Sequence, residues 1–244
     1  MAVMENTQAK TELAPGGRLR VGINYGNFLL VQRDPQTKAL NGVAPDLARE
    51  LGRRLGADTE LIPYDSAGKM ADAVAESAWD VAFLAAEPQR ANQIACTAAY
   101  VEIESSYLVP AGSPIRTIEE VDRPGVRIAC ASKSAYDLYL TRSLKHAELV
   151  RADGIPQSYE LFISQKLDAL AGLKPGLVTD APKLPGSRVL EGRFTAVQQG
   201  IGTPKARTAG AAYLRSYVED VKASGLVAKL IEKHGIRGLT LPSR

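Results

Sequence analysis

Hydrophobic residues in the first part of the chain alternate between short continuous runs and longer segments with helical spacing. The run LRVGI (19–23) predicts a buried strand, and after a long loop or hairpin PDLARELGRRLGA predicts a helix. In that helix Leu47, Leu51 and Leu55 recur every four residues, and Pro45 suits the first turn. The strand TELIPY, a helix around GKMADAVAESA and the strand DVAFLAA follow, so this part has the order βαβαβ.

The second part of the chain repeats this order. VRIAC (126–130) predicts a strand and SAYDLYLTRSLKHA a helix. The strand AELVRA, a helix around QSYELFISQK and the strand DALAGL follow. The third strand begins with an aspartate in both copies, Asp80 and Asp168.

The repeat predicts an α/β protein with two βαβαβ lobes joined by two crossover strands. Strands that alternate with helices indicate parallel sheets covered on both faces. The crossover strands are YVEIESSYLVPAGSP and FTAVQQGIGTP. Two further helices follow the second crossover strand. We assign 18–108 and 200–244 to lobe 1, 109–199 to lobe 2, and 1–17 to a flexible N-terminus. This layout is typical of hinge closure around a ligand at the carboxyl ends of the strands.

Composition and charge narrow the function classes. With 45% apolar and 23% charged residues, the chain is typical of a globular protein. A net charge of +3 without a basic stripe argues against nucleic acid as a partner. No apolar run is long enough to span a membrane, and the polar N-terminus contains no secretory signal in the chain as given. Cys96 and Cys130 lack metal-site spacing, and we interpret both as small buried hydrophobic residues.

Arg90, just past the end of an apolar strand, is the first candidate for chemistry. It is either a surface residue that starts a helix at PQRANQIA or a guanidinium that binds a carboxylate or phosphate. Its place beyond the last strand of the first copy favours the second interpretation.

Two further loops follow strands in the same way. In ACASKSAYD, Ser134 and Asp137 resemble a helix cap, but the exposed start of a helix also binds anions, and Lys133 adds a positive charge. In NYGNF, Tyr25, Asn27 and Phe28 supply hydrogen-bonding groups and rings. Capping alone, with a solvated Lys133, remains the alternative for ACASKSAYD, and ordinary loop chemistry with one core aromatic residue remains the alternative for NYGNF. 

Glu102 and Glu104 lie on the same face of the first crossover. They are either solvated carboxylates at a strand edge, or Glu104 faces the ligand.

Sequence motifs for catalysis or cofactor binding are largely missing. The chain contains no HExxH, GxSxG or P-loop motif, and GIGTPK lacks the third glycine of a dinucleotide fingerprint. We therefore expect no catalytic residues, no metal and no cofactor.

Several segments together resemble the bacterial extracellular solute-binding proteins of family 3, from Arg18 to about Gly235. GVAPDLARELGRRLG is similar to that family's first helix, EPQRANQIACTAAY to its TPERxxxxxFSxPY segment, and QKLDALAGLKP to its GxVDAxxxDxP segment. The resemblance implies a type II periplasmic binding protein that delivers a small solute to the membrane permease of an ABC transporter. A periplasmic location and a monomer are expected on the same basis.

Carried over residue by residue, the resemblance implies that Arg90 and Ser134 bind a ligand carboxylate. Asn27 stands where many members have an aromatic residue that stacks on the ligand, and Phe28 is its neighbour. Ala85 lies in a segment, with Leu84 and Ala86, where members often carry ligand-binding hydroxyls.

Leu173 departs most sharply from the family pattern. It stands where the family has an aspartate that pairs with the α-ammonium of an amino acid, and a buried ammonium without a partner is costly. Either Glu104 replaces that aspartate, or the ligand has no α-ammonium.

The sequence therefore predicts a non-enzymatic binding protein for a small carboxylate-bearing metabolite, an amino acid or a related organic acid. One alternative is an enzyme on the same scaffold, since some relatives resemble cyclohexadienyl dehydratases. That chemistry needs a carboxyl group as general acid, and only Glu104 is available. A second alternative is a cytoplasmic small-molecule binding protein.

Overall fold

The computed structural model describes residues 2–242, which form two compact units. Unit 1 consists of Met1–Glu102 and Gln198–Arg244, and unit 2 of Ile103–Val197. The sequence placed these boundaries at 108/109 and 199/200, each a few residues further along the chain. Both boundaries between the units fall inside long strands. The amino-acid composition does not change along these strands, so the sequence does not mark where one unit ends.

Unit 1 contains the first βαβαβ segment and both ends of the chain. Its helices are α1 (Ala2–Leu13), α2 (Val43–Leu55), α3 (Ala67–Asp72), α7 (Thr208–Ala223) and α8 (Leu226–Lys233). Its strands are β1 (Arg18–Asn24), β2 (Gln32–Arg33), β3 (Leu40–Asn41), β4 (Asp58–Tyr64), β5 (Val81–Ala85) and β6 (Ile94–Cys96). The strand β12 (Thr195–Pro204) enters this unit from unit 2.

The sheet of unit 1 has the order β4-β1-β5-β12, and β6 also pairs with β12. The strands β4, β1 and β5 are parallel, with Val21 opposite both Leu61 and Val81. The strand β12 is antiparallel to β5 and places Gln199 opposite Ala85. The long segment after β1 folds as the β2–β3 hairpin, one of the two forms expected from the sequence.

Unit 2 contains the second βαβαβ segment, as the repeat predicts. Its strands are β7 (Val101–Val109, entering from unit 1), β8 (Arg127–Ala131), β9 (Glu148–Ala152), β10 (Ala169–Leu173) and β11 (Arg188–Val189). Its helices are α4 (Ala135–Ser143), α5 (Ile155–Ser164) and α6 (Lys174–Asp180). The strands β9, β8 and β10 are parallel neighbours, whereas β7 runs antiparallel to both β10 and β11.

The aspartates that begin the third strand of each repeat make matching contacts. The backbone N–H of Asp80 donates to the carbonyl of Arg20, and the Asp80 carboxylate accepts from the N–H of Arg20. Asp168 makes the same two contacts with Arg127. Each aspartate therefore ties the start of the third strand to the first strand of its repeat.

The N-terminus differs from the prediction of a flexible segment, because the structure places α1 there and packs it against α7. Ala9 and Leu13, four residues apart, are buried. A Glu12 carboxylate oxygen accepts from the backbone N–H of Gly210 at 2.7 Å, in the first turn of α7. The Lys10 ammonium donates to the carbonyl of Gly56 at the end of α2. These contacts supply a carboxylate to a helix start and a cation to a helix end, both favourable to the helix dipole.

Candidate ligand-binding site

Arg90 lies at the carboxyl end of the sheet in unit 1. The strand β5 ends at Ala85, and a short 3-10 turn, Pro88–Arg90, follows. The Arg90 side chain folds back, and a guanidinium N–H donates to the carbonyl of Ala85 at 2.9 Å. Only 7% of Arg90 is exposed, and the expected helix is absent from 88–95, so the interpretation as a surface residue that starts a helix is wrong.

Burial sets the electrostatics of this arginine. Removal from water lowers the pKa of the Arg90 guanidinium below its ordinary value, although arginine stays protonated in proteins at neutral pH. The planar guanidinium is suited to bidentate binding of a carboxylate.

The NYGNF loop follows β1, which is the parallel neighbour of β5 in the sheet. Its residues therefore lie at the same edge as Ala85. Asn27 is buried, and its side-chain oxygen has no hydrogen-bond partner among residues 2–242. Such an acceptor calls for a donor from elsewhere, either a water molecule or a ligand. Phe28 is 44% exposed, and the Tyr25 ring lies under the Arg33 guanidinium at 4.5 Å.

Ser134 lies at the corresponding place in unit 2, between β8 and α4. It is the N-cap of α4, and its hydroxyl oxygen accepts from the backbone N–H of Asp137 at 3.1 Å. Asp137 accepts in return from the N–H of Lys133, which adopts a left-handed conformation (φ 55°), and from the Arg151 guanidinium. The predicted cap is therefore present. The cap uses the hydroxyl of Ser134 as an acceptor, so its O–H remains a potential donor to an anion.

The last strand of unit 2, β10, ends in apolar residues. Leu173 is buried and lies opposite Ser105 of β7. The Ser105 hydroxyl is buried and has no hydrogen-bond partner among the described residues. The sequence reasoning missed Ser105, because the antiparallel pairing of β7 with β10 could not be inferred from the repeat.

Glu104 is already paired with cations within unit 2. Its carboxylate lies 3.1 Å from the Lys174 ammonium and 3.5 Å from the Arg193 guanidinium. An ammonium ligand would therefore have to compete with two side-chain cations for this carboxylate. The sequence offered no signal for this cluster, because its three members are 70 and 19 residues apart along the chain.

Each unit thus gathers its own set of candidates at one sheet edge. In unit 1 these are Arg90, Ala85, Tyr25, Asn27 and Phe28. In unit 2 they are Ser134, Lys133, Glu104 and Leu173. Within residues 2–242 no group of three or more His, Cys, Asp or Glu side chains could hold a metal ion. No helix in that range is both long and apolar enough to cross a membrane.

Two βαβαβ units linked by two crossover strands define the fold of the type II periplasmic binding proteins. The model of the bacterial extracellular solute-binding proteins, family 3, matches residues 19–236, and the chain belongs to this family. No curated protein matches the chain.

Solved structures of similar fold share little sequence with the chain. A receptor for L-cysteine from Neisseria gonorrhoeae is 17% identical, with a TM-score of 0.79 and 95% of both chains covered. A variant of ArgBP from T. maritima is 21% identical, with a TM-score of 0.76, and the match covers 92% of this chain and 98% of that one. An ancestral amino-acid-binding protein, described as a precursor of cyclohexadienyl dehydratase, is 20% identical with a TM-score of 0.75, and the coverages are 93% and 98%.

Proposed function

We propose that this protein is the ligand-binding component of an ABC-type uptake system and binds a small carboxylate-bearing metabolite between its two lobes. Membership of family 3 supports a solute-binding role, and similar structures include a solute receptor for L-cysteine and an amino acid ABC transporter substrate-binding protein bound to L-arginine. On this proposal the protein acts in the periplasm as a monomer, and the closed form is presented to a membrane permease.

Arg90 is the observation that carries the proposal. It is a buried guanidinium, held by the carbonyl of Ala85 at the carboxyl edge of a parallel sheet. Parallel sheets bind ligands at this edge. On this proposal Arg90 and the Ser134 hydroxyl bind the same ligand carboxylate, one from each lobe.

The ligand's second functional group is the less usual part of the proposal. Leu173 has no charge to offer an α-ammonium, and Glu104 is paired with Lys174 and Arg193. The cluster of these three side chains carries a net positive charge. We therefore propose an organic acid without an α-ammonium in preference to a standard amino acid.

The proposal also excludes enzymatic activity. The similarity to an ancestral precursor of cyclohexadienyl dehydratase raises the alternative of a dehydratase. Glu104 is the carboxyl group in question, and both of its ion pairs would have to break before it could protonate a leaving group. Turnover of prephenate or arogenate by the purified protein would overturn this part of the proposal.

Two substitutions of Ser134 separate its capping role from its ligand role. Ser134→Ala removes the cap and the donor together, so stability should fall by about 1 kcal/mol and ligand affinity should fall as well. Ser134→Asp keeps an N-cap acceptor but brings a negative charge to a ligand carboxylate. We expect it to keep wild-type stability within about 0.5 kcal/mol while losing binding by at least about tenfold.

The measurements are urea unfolding and calorimetric titration with the most strongly bound compound in a panel of amino acids and simple organic acids. If Ser134→Asp bound that compound as tightly as the wild type does, Ser134 would be a cap only.

A further inference from the structure

A cavity of about 410 Å³ lies within unit 2, and no candidate residue for the carboxylate ligand lines it. Three segments form its walls: the end of α5 with the turn after it, the loop before β11, and the turn after β7. The side chains that line it are mostly apolar and include Pro110, Phe162, Leu167, Leu184 and Pro185. Ligand pockets of proteins commonly have volumes of roughly 300 to 1,000 Å³, so this cavity is large enough for a small molecule.

Hydrogen bonds within unit 2 hold the walls of the cavity in place. The Ser187 hydroxyl donates to the carbonyl of Ala181 at 2.9 Å, which fixes the loop before β11. The Arg188 guanidinium donates to the carbonyls of Ser113 and Ile115, which ties the segment after β7 to β11.

Gly186 brings these two walls into direct contact. A Cβ added at Gly186 (φ 81°) would lie 2.8 Å from the Ala111 Cβ, so only glycine permits this approach. The cavity is therefore a preformed feature of unit 2.

The floor of the cavity belongs to the hydrophobic core. Phe162 and Leu167 are buried there and belong to a cluster with Leu108 and Leu170. An apolar ligand in the cavity would thus extend the core of unit 2 and remove further apolar surface from water.

Lys166 is the one charged residue among those that line the cavity. It has a left-handed backbone (φ 49°) in the turn that ends α5, where its N–H donates to the carbonyl of Ile163. Within the part of the chain that the structure describes, its ammonium forms no ion pair. The cavity therefore combines an apolar interior with a single available positive charge.

We propose that this cavity binds an amphiphilic monoanion, with an apolar body like that of a medium-chain fatty acid and a carboxylate paired with Lys166. The apolar walls match the chain of such a molecule, and Lys166 matches its single charge. A free amino acid does not fit these walls, because its ammonium would be buried without a partner. The site is therefore chemically different from the proposed site for the small carboxylate.

Decanoate is a suitable probe, and equilibrium dialysis of the full chain measures its binding. We expect saturable binding of one molecule, and a substitution of Ile163→Asp, which places a negative charge in the wall, should weaken it by at least about tenfold. Val178→Asp is the matched control, because Val178 lies outside the cavity. Both residues are exposed apolar side chains on helices, with exposed fractions of 55% for Val178 and 44% for Ile163. The control should change decanoate binding by less than about twofold.

Lys166→Asn tests the charge separately, because asparagine tolerates a left-handed backbone. We expect decanoate binding to weaken by about threefold to tenfold and the binding of decanol, which has no charge, to stay the same.

Equal binding of decanoate by the wild type and Ile163→Asp would overturn the proposal, as would competition between decanoate and the small carboxylate ligand. The proposal would also be overturned if the wild type bound no decanoate but sedimented as a dimer, and Ile163→Asp sedimented as a monomer. That result would identify the cavity as a contact between copies of the chain. The comparison of decanoate binding by the wild type and Ile163→Asp, and the sedimentation result, do not depend on whether Arg90 binds a carboxylate.

Discussion

Replacing Asp80 with alanine should lower the free energy of unfolding of unit 1 by about 3 kcal/mol, since removal of one partner from a buried charge cluster leaves the others uncompensated. The Asp80 carboxylate is fully buried and accepts from the Arg20 guanidinium at 2.9 Å and from the Arg207 guanidinium at 2.7 Å. Both arginine side chains are partly exposed, at 33% and 22%, so water can solvate them in part. The expected loss is therefore at the lower end of the range for buried ion pairs.

The chain offers its own control and its own probe for this measurement. Asp168→Ala changes the matching position of unit 2, where the residue is exposed and, among the described residues, accepts only from the backbone N–H of Arg127. It should cost about 1 kcal/mol or less. Trp79, the single tryptophan, is buried beside Asp80 in unit 1, so its fluorescence during urea unfolding reports on that unit. A loss below about 1 kcal/mol for Asp80→Ala would show that the cluster does not hold the sheet together.

The contribution of Asp80 to the free energy of unfolding should decrease at acidic pH. Burial alone would raise the pKa of Asp80, but hydrogen bonds from Arg20 and Arg207 outweigh it and hold this pKa below its ordinary value of 3.8. A carboxyl group whose pKa is lower in the folded state stabilises that state fully at pH values above its pKa in the unfolded chain. This contribution is lost as the pH falls through the pKa of the folded state. The difference in stability between wild type and Asp80→Ala should therefore be constant at neutral pH and shrink below 3.8.

Replacing Arg90 with methionine should weaken binding of the carboxylate ligand by at least about 100-fold, because it removes a buried charge from a charge-assisted hydrogen bond. Arg90→Lys keeps the charge but loses the planar fork, so we expect a loss of about tenfold or more. Arg18→Met is the matched control, since Arg18 is exposed at the opposite end of β1 and should change affinity by less than about twofold.

Calorimetry with the most strongly bound compound of the panel measures these affinities. Arg90 also donates to the carbonyl of Ala85, so both variants should lose some stability. Trp79 fluorescence at the titration temperature confirms that each variant is folded. Binding by folded Arg90→Met within a few-fold of wild type would remove Arg90 from the site.

The repeated pattern of strands and helices was sufficient to predict the fold, because both copies carry it locally. Leu47 and Leu51 occur at helical spacing and are buried in α2, and the run 169–173 is a buried strand. The helix α1 was missed because its sequence has almost no amphipathic pattern. The helix α1 is stabilised by contacts such as the hydrogen bond between Glu12 and Gly210, which are 198 residues apart. Local sequence patterns do not reveal such contacts.

The candidate site was only partly accessible to sequence reasoning, for a similar reason. Arg90 and Ser134 could be found because each directly follows a strand that the pattern predicts. The pairing of Glu104 with Lys174 and Arg193, and the orphan hydroxyl of Ser105, arise only when β7 lies beside β10. These neighbours change the interpretation of Glu104 from a free carboxylate to one already engaged by cations.

Native mass spectrometry tests the central claim, that the protein binds a small carboxylate-bearing molecule through Arg90, most directly. The protein is purified under native conditions, and a second sample is incubated with an extract of small metabolites. We predict that the wild type retains one small molecule with a carboxyl group and that folded Arg90→Met does not. A retained molecule without a carboxyl group, or equal retention by the wild type and Arg90→Met, would contradict the account.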